Sequence, residues 1–193
     1  LSWGIDPRAV STSRPEKSIG MERTFEDDVR SRTQIEHFIL AASHDCARRL
    51  RSGGVVGWTV GIKMRGADFH TITRSISLIA PTDTGRDIAR AAQSLFARED
   101  MPIGGVRLFG VRVEGLQSRS GGVAVTLDRD EKPAASERAM DQIRSKFGAS
   151  ALAPATLLGT QVPARRSFGG DAAQDGQGSR SAEASARQGG DAR

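Results

Sequence analysis

GVRLFGVRVEGL, at residues 105–116, decides how the chain folds. Strict alternation, two arginines and a glycine in mid-strand coincide only here. Phe109, Val111 and Val113 fall on one parity and Leu108, Gly110 and Arg112 on the other, the pattern of a half-buried strand with one face in the core and the other carrying a cation. A glycine inside a strand gives up a side chain and marks a place where another backbone comes close. Gly110 beside Arg112 is therefore a candidate phosphate platform, with an edge arginine next to a glycine bulge as the alternative.

Working outward, Ile88, Ala91, Ala92, Leu95 and Phe96 predict an amphipathic helix of about four turns, opened by a capping box at Thr84 and Asp87. Before it, Ile72, Ile76 and Leu78 alternate with Thr71, Thr73, Ser75 and Ser77, a strand with one hydroxyl-lined face, or a strand using threonine for its β propensity alone. Arg74 has the inward parity, and because an unpaired guanidinium is costly to bury, a bulge that turns it outward is expected. Beyond the turn at residues 66–68, Val56, Trp58, Val60, Ile62 and Met64 face inward against Thr59, Gly61, Lys63 and Arg65. Ser31 and Gln34 form a second capping box ahead of Ile35, Phe38, Ile39, Ala42, Cys46 and Leu50, a helix of about five turns ended by Gly53 and Gly54. The first strand is KSIGMERTF at residues 17–25, with Ile19, Met21 and Phe25 sharing a parity with Arg23.

The order is β-α-β-β-α-β over about a hundred residues, an α+β fold. Two helices with one apolar stripe each cover only one face of a four-stranded sheet. The other face collects Ser18, Gly20, Thr59, Lys63, Arg65, Thr71, Thr73, Ser75, Gly110 and Arg112. Cations, hydroxyls and glycines without aromatics suit phosphates and not the stacking of bases. Further on, VAVTLD at residues 123–128 is a short apolar patch, and Ala139, Met140, Ile143 and Phe147 predict a small appended helix ended by Gly148. From about residue 161 the composition predicts disorder. Residues 1–10 read as the tail of an element whose body lies upstream, and residues 11–16 as a tether.

The 193 residues carry a net charge of +5, rich in arginine, which favours a polyanionic partner such as nucleic acid or an acidic membrane surface. A single cysteine, Cys46, excludes an internal disulfide framework and fits a reducing, cytoplasmic setting. No run of about 18 apolar residues suggests a membrane span. There is no glycine-rich phosphate loop, nucleophile elbow or Cys/His cluster. His37 and His44 read as boundary side chains, Asp68 and His70 as turn residues, and Asp27 and Asp28 as carboxylates preceding a helix, where they meet its positive end. No catalytic residue, metal site or cofactor is assigned to the chain.

KSIGMERTF, ADFHTITRS at residues 67–75 and VRLFGVRVEGL, in that order, resemble the little finger domain of the Y-family translesion DNA polymerases, closest to the bacterial DNA polymerase IV type. LSWGIDPRAV is similar to the end of that family's thumb domain, and the stretch from VTLDRDE to RSKFGASALAPATLLG to the tail of its actinobacterial members. The resemblance covers about residues 1–160 and implies a thumb remnant at 1–10, a linker at 11–16, a little finger at 17–117, an extension at 118–160 and a disordered tail at 161–193. It implies a monomer near the nucleoid whose open sheet grips primer–template DNA by its backbones, without sequence choice, in damage tolerance and repair. Position by position, it implies DNA contacts from Lys17, Ser18, Ile19 and Gly20, from Thr73, Arg74 and Ser75, and from Arg107, Gly110 and Arg112. Leu108 departs from the family, which often has a basic residue there.

No segment resembles the family's palm, whose carboxylates hold Mg2+, so the chain alone is expected not to polymerise DNA. A sliding clamp is a second implied partner, through Val125, Thr126 and Leu127, although Ala124 or Val125 stands where the family's clamp peptide has glutamine. The competing reading is a protein-interaction module that docks a replication partner. If about five cations met phosphate, the logarithm of affinity would fall against that of salt with a slope of roughly −4 to −5.

Overall fold

The alternating stretches form strands and the periodic ones helices, in the expected order. The computed structural model describes residues 16–121, 132–148, 151–152 and 154–157. The readings placed on 1–15, on the patch that holds Val125, Thr126 and Leu127, and on 161–193 lie outside the described residues. The strands are β1 (Ser18–Val29), β2 (Val55–Gly66), β3 (Thr71–Thr82), β4 (Val106–Glu114) and a two-residue β5 (Gln117–Ser118). The helices are α1 (Arg32–Ser52), α2 (Gly85–Phe96) and α3 (Lys132–Phe147). All pairings are antiparallel, in the order β1-β4-β2-β3, with β5 paired to the start of β2. The opening stretch is thus the central β4, and β5 is an addition that the alternation did not reveal.

Helices α1 and α2 lie side by side on one face, α1 against β1, β4 and β2, α2 against β2 and β3. Their stripes are those the spacing predicts: Ile35, Phe38, Ile39, Ala42, Cys46 and Leu50, then Ile88, Ala92, Leu95 and Phe96, are all buried. The layers are joined by a chain of edge-on aromatic contacts from Phe25 to Phe38 (5.4 Å), Phe38 to Phe109 (6.1 Å) and Phe109 to Phe96 (5.4 Å). Ser31 caps α1 by accepting from the Gln34 amide, and Gly53 ends it. Burial, with a lesser push from Asp45, raises the Cys46 thiol to about 11, so it packs as a neutral apolar group.

Three expectations require correction. No bulge turns Arg74 outward: the β2–β3 ladder runs unbroken from Thr71 to Ser77, pairing Arg74 with Ile62, and Glu99, beyond α2, takes the guanidinium at 2.7 and 3.2 Å. At the edge of the sheet the Arg74 side chain stays half exposed, so its inward parity carries no burial penalty for a bulge to avoid, and Glu99 is its ion-pair partner. Trp58 does not face the core, because the register shifts between Gly57 and Thr59, leaving Trp58 37% exposed. Asp27 and Asp28 lie within β1, which runs on to Val29, so neither serves the start of α1, whose first turn holds no acid.

The start of α2 is also capped unexpectedly. Thr84 makes no side-chain cap; it bonds to Asp87 instead, at 2.8 Å. The free amides of Gly85 (2.8 Å) and Arg86 (3.2 Å) donate to Glu137 of α3. Glu137 is buried and also receives Arg51 of α1 at 2.6 Å, while Asp141 takes the same guanidinium at 2.5 Å. Desolvation would lower the Arg51 pKa, but the hydrogen bonds and charges of Asp141 and Glu137 outweigh it and raise the value. Helix α3 therefore docks by its charged face and leaves Ile143 and Phe147 exposed, the reverse of its apolar spacing. Glu137→Ala leaves two helix amides without their acceptor and Arg51 with Asp141 as its remaining counter-charge, which should cost about 2 kcal/mol. Hydrogen exchange should then show α3 and the first turn of α2 losing protection while β4 keeps it; unchanged protection of α3 would show that the carboxylate does not hold it.

Candidate nucleic-acid interface

Antiparallel register lays the outward residues in four rows across the sheet. From β1 to β3 these read Ser18–Glu114–Thr59–Ser77, Gly20–Arg112–Gly61–Ser75, Glu22–Gly110–Lys63–Thr73 and Thr24–Leu108–Arg65–Thr71. The alternate rows, such as Ile19–Val113–Val60–Ile76, face the helices. Among the described residues no element lies over the outward face. Its middle is a trough of about 530 Å³ bordered by Gly20, Gly61, Lys63, Ser75 and Arg112.

The glycines shape this trough. Arg112 lies between Gly20 and Gly61 and has no side chain beside it in its row. At Gly110, a Cβ would come within 3.2 Å of the Glu22 side chain, which crosses the bare backbone of β4 to reach Lys63 on β2 at 3.0 Å. What comes close at Gly110 is therefore the Glu22 side chain, and not another backbone as the sequence suggested. Arg112 is held by Glu114, two residues on along the same face, at 2.7 Å. Arg65 donates from Nε to the Thr71 hydroxyl at 2.8 Å, with no carboxylate in ion-pair contact among the described residues.

Most of the residues singled out from sequence come together here. Ser18, Gly20, Lys63, Arg65, Thr73, Ser75, Gly110 and Arg112 share the outward face, and Lys17 stands exposed just before β1. Three do not share it. The Ile19 side chain is buried in the core. Arg74 is paired on the helix side with Glu99. Arg107, on the core parity of β4, lies 3.9 Å from Asp28 with its guanidinium 4.6 Å from the Phe69 ring centre. Two acids on the face, Glu22 and Glu114, had no assigned role; the spacing of Glu114 from Arg112 was a usable signal, whereas the reach of Glu22 across a strand was not. Asp68 accepts from the His70 amide at 3.0 Å, as a turn residue does.

Residues 16–127 match the model of the impB/mucB/samB family C-terminal domain. The chain belongs to this family. Its relatives include DNA polymerase IV of Caulobacter vibrioides, 31% identical over 159 residues that make up 82% of this chain and 39% of that protein. DNA polymerase IV of Moorella thermoacetica is 36% identical over 144 residues, 75% of this chain and 35% of the relative, and that of Streptomyces coelicolor 38% identical over 116 residues, 60% and 24%. The family domain thus comes here in a chain spanning well under half the length of these relatives. A solved complex of the beta-clamp processivity factor and the little finger domain of PolIV superposes on 58% of the chain and 99% of the compared one, with a TM-score of 0.43 and 23% identity. The match of the family model and the relatives agrees with the Y-family, DNA polymerase IV-type resemblance carried by the KSIGMERTF, ADFHTITRS and VRLFGVRVEGL stretches. Within the described residues of the family domain, no helix is long and apolar enough to cross a membrane.

Proposed function

We propose that the outward face binds the phosphate backbones of duplex or primer–template DNA without reading sequence, as the DNA-gripping part of an error-prone DNA polymerase IV-type enzyme acting in damage tolerance in the cytoplasm. The observation that carries this is an uncovered sheet face on which Lys63, Arg65 and Arg112 lie around glycines and between hydroxyls. Phosphate contacts position a protein on DNA, while sequence is read at base edges; a sheet face that offers cations and hydroxyls around bare glycine backbone supplies the first. The contact set is Lys17, Lys63, Arg65 and Arg112 for charge, Ser18, Thr73 and Ser75 for hydroxyl donation, and the open main chain at Gly20 for close approach. Arg74 and Arg107 serve the fold, through Glu99 and Asp28.

Helices α1 and α2 pad the sheet from beneath, so the platform is rigid before DNA arrives. Among the described residues no three His, Cys, Asp or Glu side chains gather to hold a metal ion, and the chemistry of nucleotide addition is assigned to no residue here. With three or four cations engaged instead of five, the plot of log affinity against log salt should have a slope of roughly −3. Fluorescence anisotropy with labelled duplexes of unrelated sequence measures it. Arg112→Ala should weaken all of them about equally; a slope near zero, or a loss confined to one sequence, would contradict backbone binding by this face.

A further inference from the structure

The cations of the outward face are not all equally available. Lys63 is held by Glu22 at 3.0 Å and Arg112 by Glu114 at 2.7 Å, whereas Arg65 donates to the Thr71 hydroxyl and meets no carboxylate among the described residues. We propose that Glu22 and Glu114 are stand-ins for phosphate: each occupies the place a DNA phosphate takes, holds its cation flat along the sheet, and is displaced when the duplex docks. The inference rests on the DNA-face reading above and names what sets the strength of that face.

Three observations converge on it. First, both pairs lie on the outward rows, in the trough, and not at the periphery. Second, Glu22 reaches Lys63 over a strand position that carries no side chain: a Cβ at Gly110 would lie 3.2 Å from Glu22 and push it aside by a few tenths of an ångström. Third, both pairs are exposed enough to be exchangeable, with side-chain accessibilities of 38% and 47% for Lys63 and Glu22 and of 55% and 37% for Arg112 and Glu114. Exposed pairs contribute little to stability and are readily screened, so they would not hold the fold together. They do suppress the rotamer freedom of two long side chains, and a carboxylate and a phosphate offer a cation similar paired oxygens.

The exchange is close to neutral. The cation swaps one pair of oxygens for another, and the freed carboxylate turns to solvent beside a polyanion that repels it. Net affinity is therefore set below what three bare cations would give, as suits a surface that must release each phosphate to take the next.

The test uses the whole chain and one labelled duplex at about 0.15 M salt, where the Debye length is about 8 Å. E22Q/E114Q keeps side-chain shape and removes the competing charge; affinity should rise by about tenfold, each single substitution contributing about threefold, with a salt slope close to that of the unsubstituted chain. Glu36→Gln with Asp45→Asn, on α1 at the helix side, makes the same change in net charge and should raise affinity less than about twofold. If E22Q/E114Q binds no tighter, or the α1 control gains equally, the stand-in role is wrong and only net charge matters. If the unsubstituted chain shows no salt-dependent DNA binding at all, the DNA-face reading fails first, and the stand-in role with it. Circular dichroism of each variant verifies that the fold is intact.

Discussion

Phe109→Ala is expected to lower the unfolding midpoint of the chain by on the order of 20 °C, because it removes the ring at which both helices meet the central strand. Phe109 is fully buried on β4 and touches Phe38 of α1 and Phe96 of α2 edge-on. Truncating a buried phenylalanine costs about 3 to 5 kcal/mol from lost transfer energy and from the cavity that packed neighbours cannot close. In a domain of this size each kcal/mol moves the midpoint by roughly 4–8 °C. Thermal melts followed by circular dichroism read this directly. A drop of only two or three degrees would show that the helix layer holds together without the aromatic chain. Since the outward face has no core of its own, DNA binding should fail along the same melting curve.

The second large effect concerns that face itself. Lys63→Ala, Arg65→Ala and Arg112→Ala combined should weaken duplex binding on the order of 100-fold at about 0.15 M salt and bring the salt slope to roughly −1, the share left to Lys17, as three phosphate contacts disappear. The loss is deepened because Glu22 and Glu114 then stand unopposed on the surface that DNA approaches. The informative comparison is Arg74→Ala with Arg107→Ala, which removes nearly as much positive charge from the helix side of the same strands, where Glu99 and Asp28 already engage it. At that salt the pair should keep DNA affinity within about threefold, since the Debye length is about 8 Å and charges further from the duplex are largely screened. Equal losses in the two variants would mean that net charge and not the outward face binds DNA.

Much of this was legible in the sequence because a strand and a helix each leave a periodic mark. The parity of Phe109, Val111 and Val113 against Gly110 and Arg112 named both faces of β4, and the stripe from Ile35 to Leu50 named the buried side of α1. What stayed hidden depended on partners far along the chain. Arg74 looked misplaced because parity reports only the direction of a side chain; Glu99, 25 residues on, made that direction tolerable. Trp58 followed the alternation faithfully, yet a register shift beside it broke the link between parity and burial. Strand order, the pairing of β5 and the reach of Glu22 over Gly110 are long-range facts that no local period encodes. Helix α3 misled in the opposite way: its apolar spacing suggested the docking side, but the desolvated charges Glu137 and Arg51 decide it.

That last contact bears on where this protein can be cut. The family match stops at residue 127, while the carboxylate that completes the beginning of α2 sits at position 137. A fragment trimmed to the match would lose the carboxylates that meet the Gly85 and Arg86 amides and Arg51, and would leave these groups to water where α3 had covered them. A piece carried past Gly148 keeps these contacts and should melt at a higher temperature than one ending at residue 127, although both hold the whole apolar core.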